Sequence, residues 1–146
     1  MNVTKTNVMI ITDNIEDTED YITIDNNVIR NQNKIKILGT TINSKLNWNS
    51  HLLEGQDSLL AQMKQRLNSI KIIAKYISRS FAKQMTNALL LSKLNYNIDI
   101  WGATTKHNIN KIDKILESAA KIVIGKESIG RTRDWMFKKL KWLNQI

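Results

Sequence analysis

The sequence has 146 residues, of which 42% are hydrophobic and 24% charged, and its formal net charge is +9. This size and composition predict one folded domain or two small lobes and argue against a wholly disordered chain. Cysteine is absent, which excludes disulfides and cysteine zinc sites, and neither a secretory signal nor an apolar run of about 18 residues occurs. We therefore expect an intracellular protein, cytoplasmic or nuclear, that does not enter a membrane.

Short β-branched segments in the first third of the chain predict the strands of a small antiparallel sheet. They are Val3–Ile11, Tyr21–Ile24 and Ile35–Ile42, each bounded by Asn or Asp clusters. Asp25, Asn26 and Asn27 predict a turn between two of them. An acidic cluster between positions 13 and 25 lacks the glycine and the final Glu of a calcium-binding loop. We interpret it as a solvated loop.

From about Asn49 onward, apolar residues recur every three or four positions, which predicts amphipathic helices. The predicted helices run from Ser50 to Tyr76, from an N-cap at Ser80 through Phe81 and Leu89 toward Tyr96, from Asn108 to Gly125, and onward from Thr132. The expected fold class is therefore α+β, with short antiparallel strands over residues 1–48 and a mainly α-helical bundle over residues 49–146.

Charge is unevenly distributed along the chain. Residues 1–60 carry five Lys or Arg against eight Asp or Glu, whereas residues 61–146 carry seventeen against five. Clustered basic side chains favour a polyanionic partner, either nucleic acid or an anionic membrane face, because they displace condensed counterions from phosphate. The alternative is a basic but merely solvated helical surface.

Conventional catalytic and metal-binding patterns are not apparent. His51 and His107 stand far apart with no second ligand at metal-binding spacing, and Gly125–Ser128 lacks the first glycine of a phosphate-binding loop. We expect no metal and no cofactor in this chain.

Several segments resemble one protein family when they are taken in order. Asn2–Thr6 is followed by the apolar Val8–Ile11, and Ile35–Asn43 is followed by Leu46–Leu52. Together they resemble the reverse transcriptase of non-LTR retrotransposons of the jockey-like kind. In that family an N-x-x-K-T segment closes the palm, an L-G strand forms the primer grip, and an L-x-W-x-x-H signature opens the thumb.

The resemblance is looser farther along the chain. Leu94–Tyr96 with Ile100–Gly102 looks like the family's Y-x-x-x-x-W-G segment, and Leu140–Leu143 is similar to its later L-x-W-L. The sequence departs from the family in having no proline, so the turn near Tyr96 is expected to differ.

The resemblance implies the C-terminal part of an RNA-directed DNA polymerase, with the end of the palm and the primer grip over residues 1–48 and a thumb-like region over residues 49–146. The family's catalytic aspartates precede the N-x-x-K-T segment. The chain alone is therefore expected to be inactive. Its expected partner is the missing upstream polymerase segment, and Mg²⁺ is expected only in the full polymerase.

The resemblance also implies roles for particular residues. Lys5 matches the palm lysine that stabilises charge on the departing pyrophosphate. The alternative for Lys5 is a solvated side chain beside a strand. Ile37, Leu38 and Gly39 match the primer grip, where a glycine lets the backbone approach the primer closely. The alternative for Gly39 is a strand bulge.

Basic residues on the two helices after Asn49 are the predicted phosphate contacts to an RNA–DNA or other primer–template duplex, bound without sequence specificity. They are Lys64, Arg66, Lys71, Lys75, Arg79 and Lys83. A second basic segment surrounds Trp135 and Trp142 and is compatible either with single-strand stacking or with packing in the core. Trp48 and Trp101 are assigned to packing.

Two further functions remain open from the sequence. One is a free-standing, sequence-independent nucleic-acid-binding helical module or domesticated remnant, which would gain nothing from a recessed 3′ end. The other is a protein-interaction or membrane-surface domain that docks through the basic helices.

Overall fold

A computed structural model describes residues 5–12 and 21–142 of the chain. Within these ranges four short antiparallel strands form two two-stranded sheets, and mainly helical segments follow them. The predicted α+β class is confirmed. The chain divides into two compact units, residues 1–54 and residues 55–146, so the segment from residue 49 to residue 54, predicted to begin the helical region, belongs to the first unit.

The first hairpin consists of β1 (Tyr21–Ile24) and β2 (Asn27–Arg30), which pair antiparallel. The predicted strand at Tyr21–Ile24 is confirmed, as is the turn that follows it. Asp25 and Asn26 have φ values of 47° and 62°, a backbone conformation that Asn and Asp tolerate better than other non-glycine residues. The second strand, β2, was not predicted.

The second hairpin consists of β3 (Lys34–Ile37) and β4 (Thr40–Asn43). The prediction of one strand over Ile35–Ile42 is wrong because Leu38 and Gly39 reverse the chain. Their φ values are 46° and 81°, and two central residues with positive φ suit the twist of hairpin strands. Gly39 therefore lies in a tight turn and does not mark a bulge.

The predicted strand at Val3–Ile11 is wrong over its described part, residues 5–11. Only Val8 forms a bridge, parallel to Asn31, and the Gln32 amide donates to the Val8 carbonyl at 2.8 Å. The Ile10 amide donates instead to the Asn31 side-chain oxygen at 3.0 Å. A side chain thus takes the place of the next backbone partner, and the ladder stops. Residues 3 and 4 lie outside the described ranges.

The first two helices are α1 (Asn49–Leu52) and α2 (Leu59–Ile73). The prediction of one helix from Ser50 to Tyr76 is wrong because the chain turns between them at Gly55, whose φ is 81°. Ser58 then caps α2 by accepting a hydrogen bond from the Ala61 amide at 3.3 Å. The apolar spacing continues across the turn, so periodicity does not reveal it.

A continuous helical stretch follows, made of α3 (Arg79–Thr86), a π-helical segment (Asn87–Leu91) and α4 (Ser92–Asn95). The N-cap of α3 is Ser78, not Ser80 as predicted. Ser78 has an extended backbone, with φ of −66° and ψ of 153°, and its hydroxyl accepts from the Phe81 amide at 3.3 Å. Such a geometry defines an N-cap, whereas Ser80 already lies inside the helix.

The remaining elements are the short helix α5 (Ile98–Trp101), the long helix α6 (Lys106–Ile124), a 3₁₀ segment (Gly125–Ser128) and α7 (Arg133–Leu140). Gly125 ends α6 as predicted, with φ of 69°. Thr132 caps α7 by accepting from the Trp135 amide at 3.4 Å, which confirms the predicted start of the last helix.

The core of the second unit lies among α2, α3, α6 and α7. Fully buried side chains include Met63, Ile70, Leu116 and Met136. Trp101, predicted to pack, is also fully buried, and its indole nitrogen donates to the Tyr96 carbonyl at 3.0 Å. None of the helices within the described ranges is long and apolar enough to span a membrane.

Few apolar side chains are buried among the described residues of the first unit. Among its described residues, the buried hydrophobic side chains are Ile29 and Leu52. A polar network supplements them: the Asn43 side chain donates to Asn47 Oδ1 at 2.9 Å and accepts from the Asn47 amide at 3.0 Å. These bonds fix the connection between β4 and α1.

Candidate nucleic-acid interface

The basic residues of the second unit are concentrated in one stretch of the chain. Residues 58–98 contain seven Lys or Arg and no Asp or Glu. This acid-free stretch covers α2, α3, the π-helical segment and α4. Its basic side chains therefore have no acidic neighbour within the stretch itself.

Three of the predicted phosphate contacts, Lys64, Lys71 and Lys75, are exposed to solvent. Lys64 and Lys71 are seven residues apart in α2, about two turns, so they project from the same side of the helix with a rise of roughly 10 Å between them. Lys75 follows just after the end of α2. Among the described residues, no acidic side chain forms an ion pair with any of the three.

Arg66 occupies a different side of α2 and is engaged within the fold. It is half-buried, and its Nη1 donates to the backbone carbonyl of Leu89 at 2.6 Å. Leu89 belongs to the π-helical segment. The guanidinium therefore ties α2 to that segment, a structural role that its spacing in the sequence did not indicate.

Arg79 is paired with an acidic residue from another part of the chain. Its Nη1 lies 3.0 Å from Glu127 Oε1, and Lys139 bonds the other oxygen of the same carboxylate. Hydrogen bonds from Lys139 and then from Arg79 lower the pKa of Glu127 from its ordinary value. This three-residue cluster joins α3, the 3₁₀ segment and α7, and it neutralises part of the basic surface.

Trp135 in α7 and Trp142 just after it also make their contacts within the fold. The guanidinium of Arg131 and the ammonium of Lys139 each lie 5.0 Å from the centre of the Trp135 ring, within cation–π range. Trp142 is buried, and its indole nitrogen donates to Asn87 Oδ1 at 2.9 Å. Trp142 therefore packs in the core, as one of the two alternatives predicted. The ring of Trp135 already contacts two cations of the chain.

Lys83, the last predicted contact on these helices, lines a cleft of about 350 Å³. The lining residues are Lys83, Asn87, Leu91, Ser92, Asn95, Leu140, Lys141 and Trp142. Two of them are lysines and none is acidic, so the cleft extends the basic character of the acid-free stretch toward the end of α7.

The predicted primer-grip residues lie in the first unit, at the tip of the second hairpin. Ile37 is 53% exposed and Leu38 is 82% exposed, while Gly39 completes the turn. An apolar tip exposed to this degree is available for contact with a ligand. Lys5 is also exposed and belongs to the same unit.

The described residues contain no group of three His, Asp or Glu side chains placed to hold a metal ion. His51 is buried in the first unit, where its Nδ1 accepts a hydrogen bond from the Thr41 amide at 3.4 Å. This bond links α1 to β4, so His51 has a structural partner.

Tyr76 and Phe81 are exposed aromatic residues that were not among the predicted contacts. Phe81 is 50% exposed and Tyr76 is 84% exposed. Both lie within the acid-free stretch. The signal that could have identified them is the placement of aromatic residues among Lys75 and Arg79 with no acid nearby in the sequence.

Comparison with protein-family models, curated proteins and solved structures finds no match for this chain. Its function must therefore be inferred from its own sequence and surface.

Proposed function

We propose that the second unit binds nucleic acid through the phosphate backbone, without reading base sequence. The observation that carries this proposal is the acid-free stretch, on which Lys64, Lys71 and Lys75 are exposed and free of acidic partners among the described residues. Ammonium groups in this setting displace counterions from phosphate, which supplies affinity independently of sequence.

We further propose that this binding serves an RNA-directed DNA polymerase of the non-LTR retrotransposon kind, of which the chain would contribute the primer grip and thumb. The order of the matching segments supports this reading. The exposed tip at Ile37, Leu38 and Gly39 is also compatible with contact to a primer. In this role Lys5 would approach the departing pyrophosphate once the upstream polymerase segment is present.

The test is the salt dependence of binding by the full chain to a labelled RNA–DNA hybrid, followed by fluorescence anisotropy. The logarithm of the association constant should fall linearly with the logarithm of salt concentration, with a slope of about −0.9 per neutralised phosphate on a B-form duplex. Substituting Lys64, Lys71 and Lys75 together by Ala should reduce the slope by about 2 to 3.

A matched control removes the same charge elsewhere. Lys106, Lys126 and Lys138 are exposed and lie outside the acid-free stretch, and their joint substitution by Ala should change the slope much less. An equal loss in both variants would show that only net charge matters. Binding that is insensitive to salt would contradict the proposal.

The free-standing binding module is the second candidate, and its basis is the same basic surface. It is separated from the polymerase reading by comparing a hybrid with a recessed 3′ end with a blunt hybrid of equal length. Tighter binding to the recessed end, reduced when Leu38 at the hairpin tip is replaced by Asp, would favour the primer grip. Equal binding to both duplexes would favour the module.

A further inference from the structure

The corner between α2 and α3 exposes an apolar surface in the middle of the acid-free stretch. Four side chains define this corner patch: Ile72 is 63% exposed, Ile73 is 39%, Tyr76 is 84% and Phe81 is 50%. Single exposed apolar residues are common on protein surfaces, and four within ten positions of the chain make this corner a candidate for contact with a ligand.

The backbone at the corner is held at both ends. The Tyr76 amide donates to the Ile73 carbonyl at 2.9 Å, which continues the last turn of α2, and the Phe81 amide donates to the capping hydroxyl of Ser78 at 3.3 Å. Both aromatic rings are therefore presented from ordered backbone. Among the described residues, neither ring packs against another aromatic ring or a cation.

The charged residues of the chain segment that carries the corner patch all have one sign, although Arg79 within it pairs with Glu127 of the 3₁₀ segment at 3.0 Å. Lys71 and Lys75 are exposed beside Ile72 and Tyr76, and the nearest acidic residues along the chain are Asp57 and Asp99. Aromatic rings among lysines provide the two contacts that a single strand needs. Unpaired bases stack on the rings, and the ammonium groups neutralise the phosphates between the bases.

We propose that the corner patch binds single-stranded nucleic acid, with bases stacked on Tyr76 and Phe81 and phosphates held by Lys71 and Lys75. This inference rests on the proposed function and specifies a second ligand class for the same basic surface. It assigns to the two rings a contact that a duplex cannot make, because its bases are stacked on each other.

The shape of the patch favours a single strand over a membrane surface. A helix that lies in a membrane interface presents an apolar face along its length. In α2 that face is turned inward, since Leu59, Met63 and Ile70 are buried. The exposed large apolar residues of α2 are confined to its last turn, and two of the four residues of the corner patch are aromatic.

The experiment compares the full chain with a Tyr76→Ala/Phe81→Ala variant and with Tyr76→Phe. Each is titrated into a labelled 12-nucleotide oligo(dT), the same length of abasic strand, and a 12-base-pair hybrid duplex. Since stacking contributes about 1–3 kcal/mol per base, loss of both rings should reduce the affinity for oligo(dT) by at least about 30-fold. Its affinity for the duplex and the abasic strand should change less than about twofold. Tyr76→Phe keeps the ring and should retain binding.

Failure of this inference is distinguishable from failure of the proposed function. If the unaltered chain binds the duplex but the double variant binds oligo(dT) as tightly as the unaltered chain does, the stacking site is refuted while phosphate binding stands. If the unaltered chain binds none of the three ligands, both proposals fall. The last measurement is flotation with vesicles of phosphatidylcholine and phosphatidylserine. If the double variant lost vesicle binding but kept its affinity for oligo(dT), the patch would be assigned to a membrane surface and the inference would be overturned. Circular dichroism of each variant confirms that the exposed substitutions leave the fold intact.

Discussion

Glu127 is the carboxylate that holds two basic side chains of the second unit, Arg79 and Lys139. Their hydrogen bonds stabilise its charged form and so lower its pKa in the folded chain below the ordinary value of 4.5. A depressed folded-state pKa stabilises the fold above the unfolded pKa, and this contribution is lost as the pH falls below 4.5 and through the folded value. A carboxyl-detected NMR titration should show Glu127 titrating below the ordinary value of 4.5.

The same contacts predict a gain of binding in Glu127→Gln. Loss of the carboxylate frees the two cations, so affinity for an RNA–DNA hybrid should rise several-fold at low salt, and the salt slope should steepen by up to about 2. Stability at neutral pH should change little because the cluster is exposed and screened. Anisotropy titrations over a range of salt measure the effect.

Glu117→Gln is the matched control, since it removes an equal charge from a surface ion pair with Lys121, whose N···O distance is 2.7 Å. It frees one cation on α6, which lies outside the acid-free stretch of the chain. If both variants strengthened binding equally, the gain would reflect net charge alone and not the release of Arg79 and Lys139.

At the scale of single elements, the N-cap assigned to α3 can be tested by substitution. The Ser78 hydroxyl accepts from the Phe81 amide, so Ser78→Ala leaves that amide without its cap and should destabilise the chain by about 1 kcal/mol. Ser80→Ala removes an equivalent hydroxyl inside the helix and should be neutral or slightly stabilising, because Ala has the higher helix propensity. Denaturant unfolding curves of the two variants give the comparison, and equal losses would refute the assigned cap.

Periodicity predicted α6 well and α1–α2 poorly, for a physical reason. In α6 the buried Ile112, Leu116 and Val123 follow one helical face, and the glycine that ends the helix is visible in the sequence. Leu52 and Leu59 are seven residues apart, a spacing equal to two helical turns, so an interrupted helix has the same pattern as a continuous one. Only Gly55 and the capping Ser58 distinguish the two.

The hairpin tip and Arg66 show why other features could not be read from the sequence. A two-residue turn is usually indicated by Asn-Gly or Asp-Gly, whereas Leu38-Gly39 continues an apolar run. The contact of Arg66 with the Leu89 carbonyl joins residues 23 positions apart, and no local pattern reports it. Lys64 and Lys71 were predictable as exposed cations because they flank the buried stripe of their own helix.

At the scale of the whole molecule, the two units differ in how much apolar surface holds them together. Among the described residues, the buried hydrophobic side chains of the first unit are Ile29 and Leu52, whereas α6 alone provides Ile112, Ile115, Leu116 and several others. A unit with so few buried apolar contacts opens at lower free energy than one with a continuous core.

Native-state hydrogen exchange should show this difference within a single sample. After correction for intrinsic rates, the amide of Ile42 in β4 should be at least on the order of tenfold less protected than that of Ile115 in α6, because local opening of the hairpin precedes global unfolding. Equal protection of the two amides, with equal dependence on denaturant, would instead show that the units unfold together.

The acid-free stretch has a practical consequence for handling the protein. A stretch with seven cations and no acid over 41 consecutive positions is expected to act as an ion exchanger toward the host RNA of a cell lysate. Material isolated at low ionic strength should therefore absorb more strongly at 260 nm than its four tryptophans account for. Washing in about 1 M salt, where the Debye length is near 3 Å, should release the RNA and restore a protein-like spectrum.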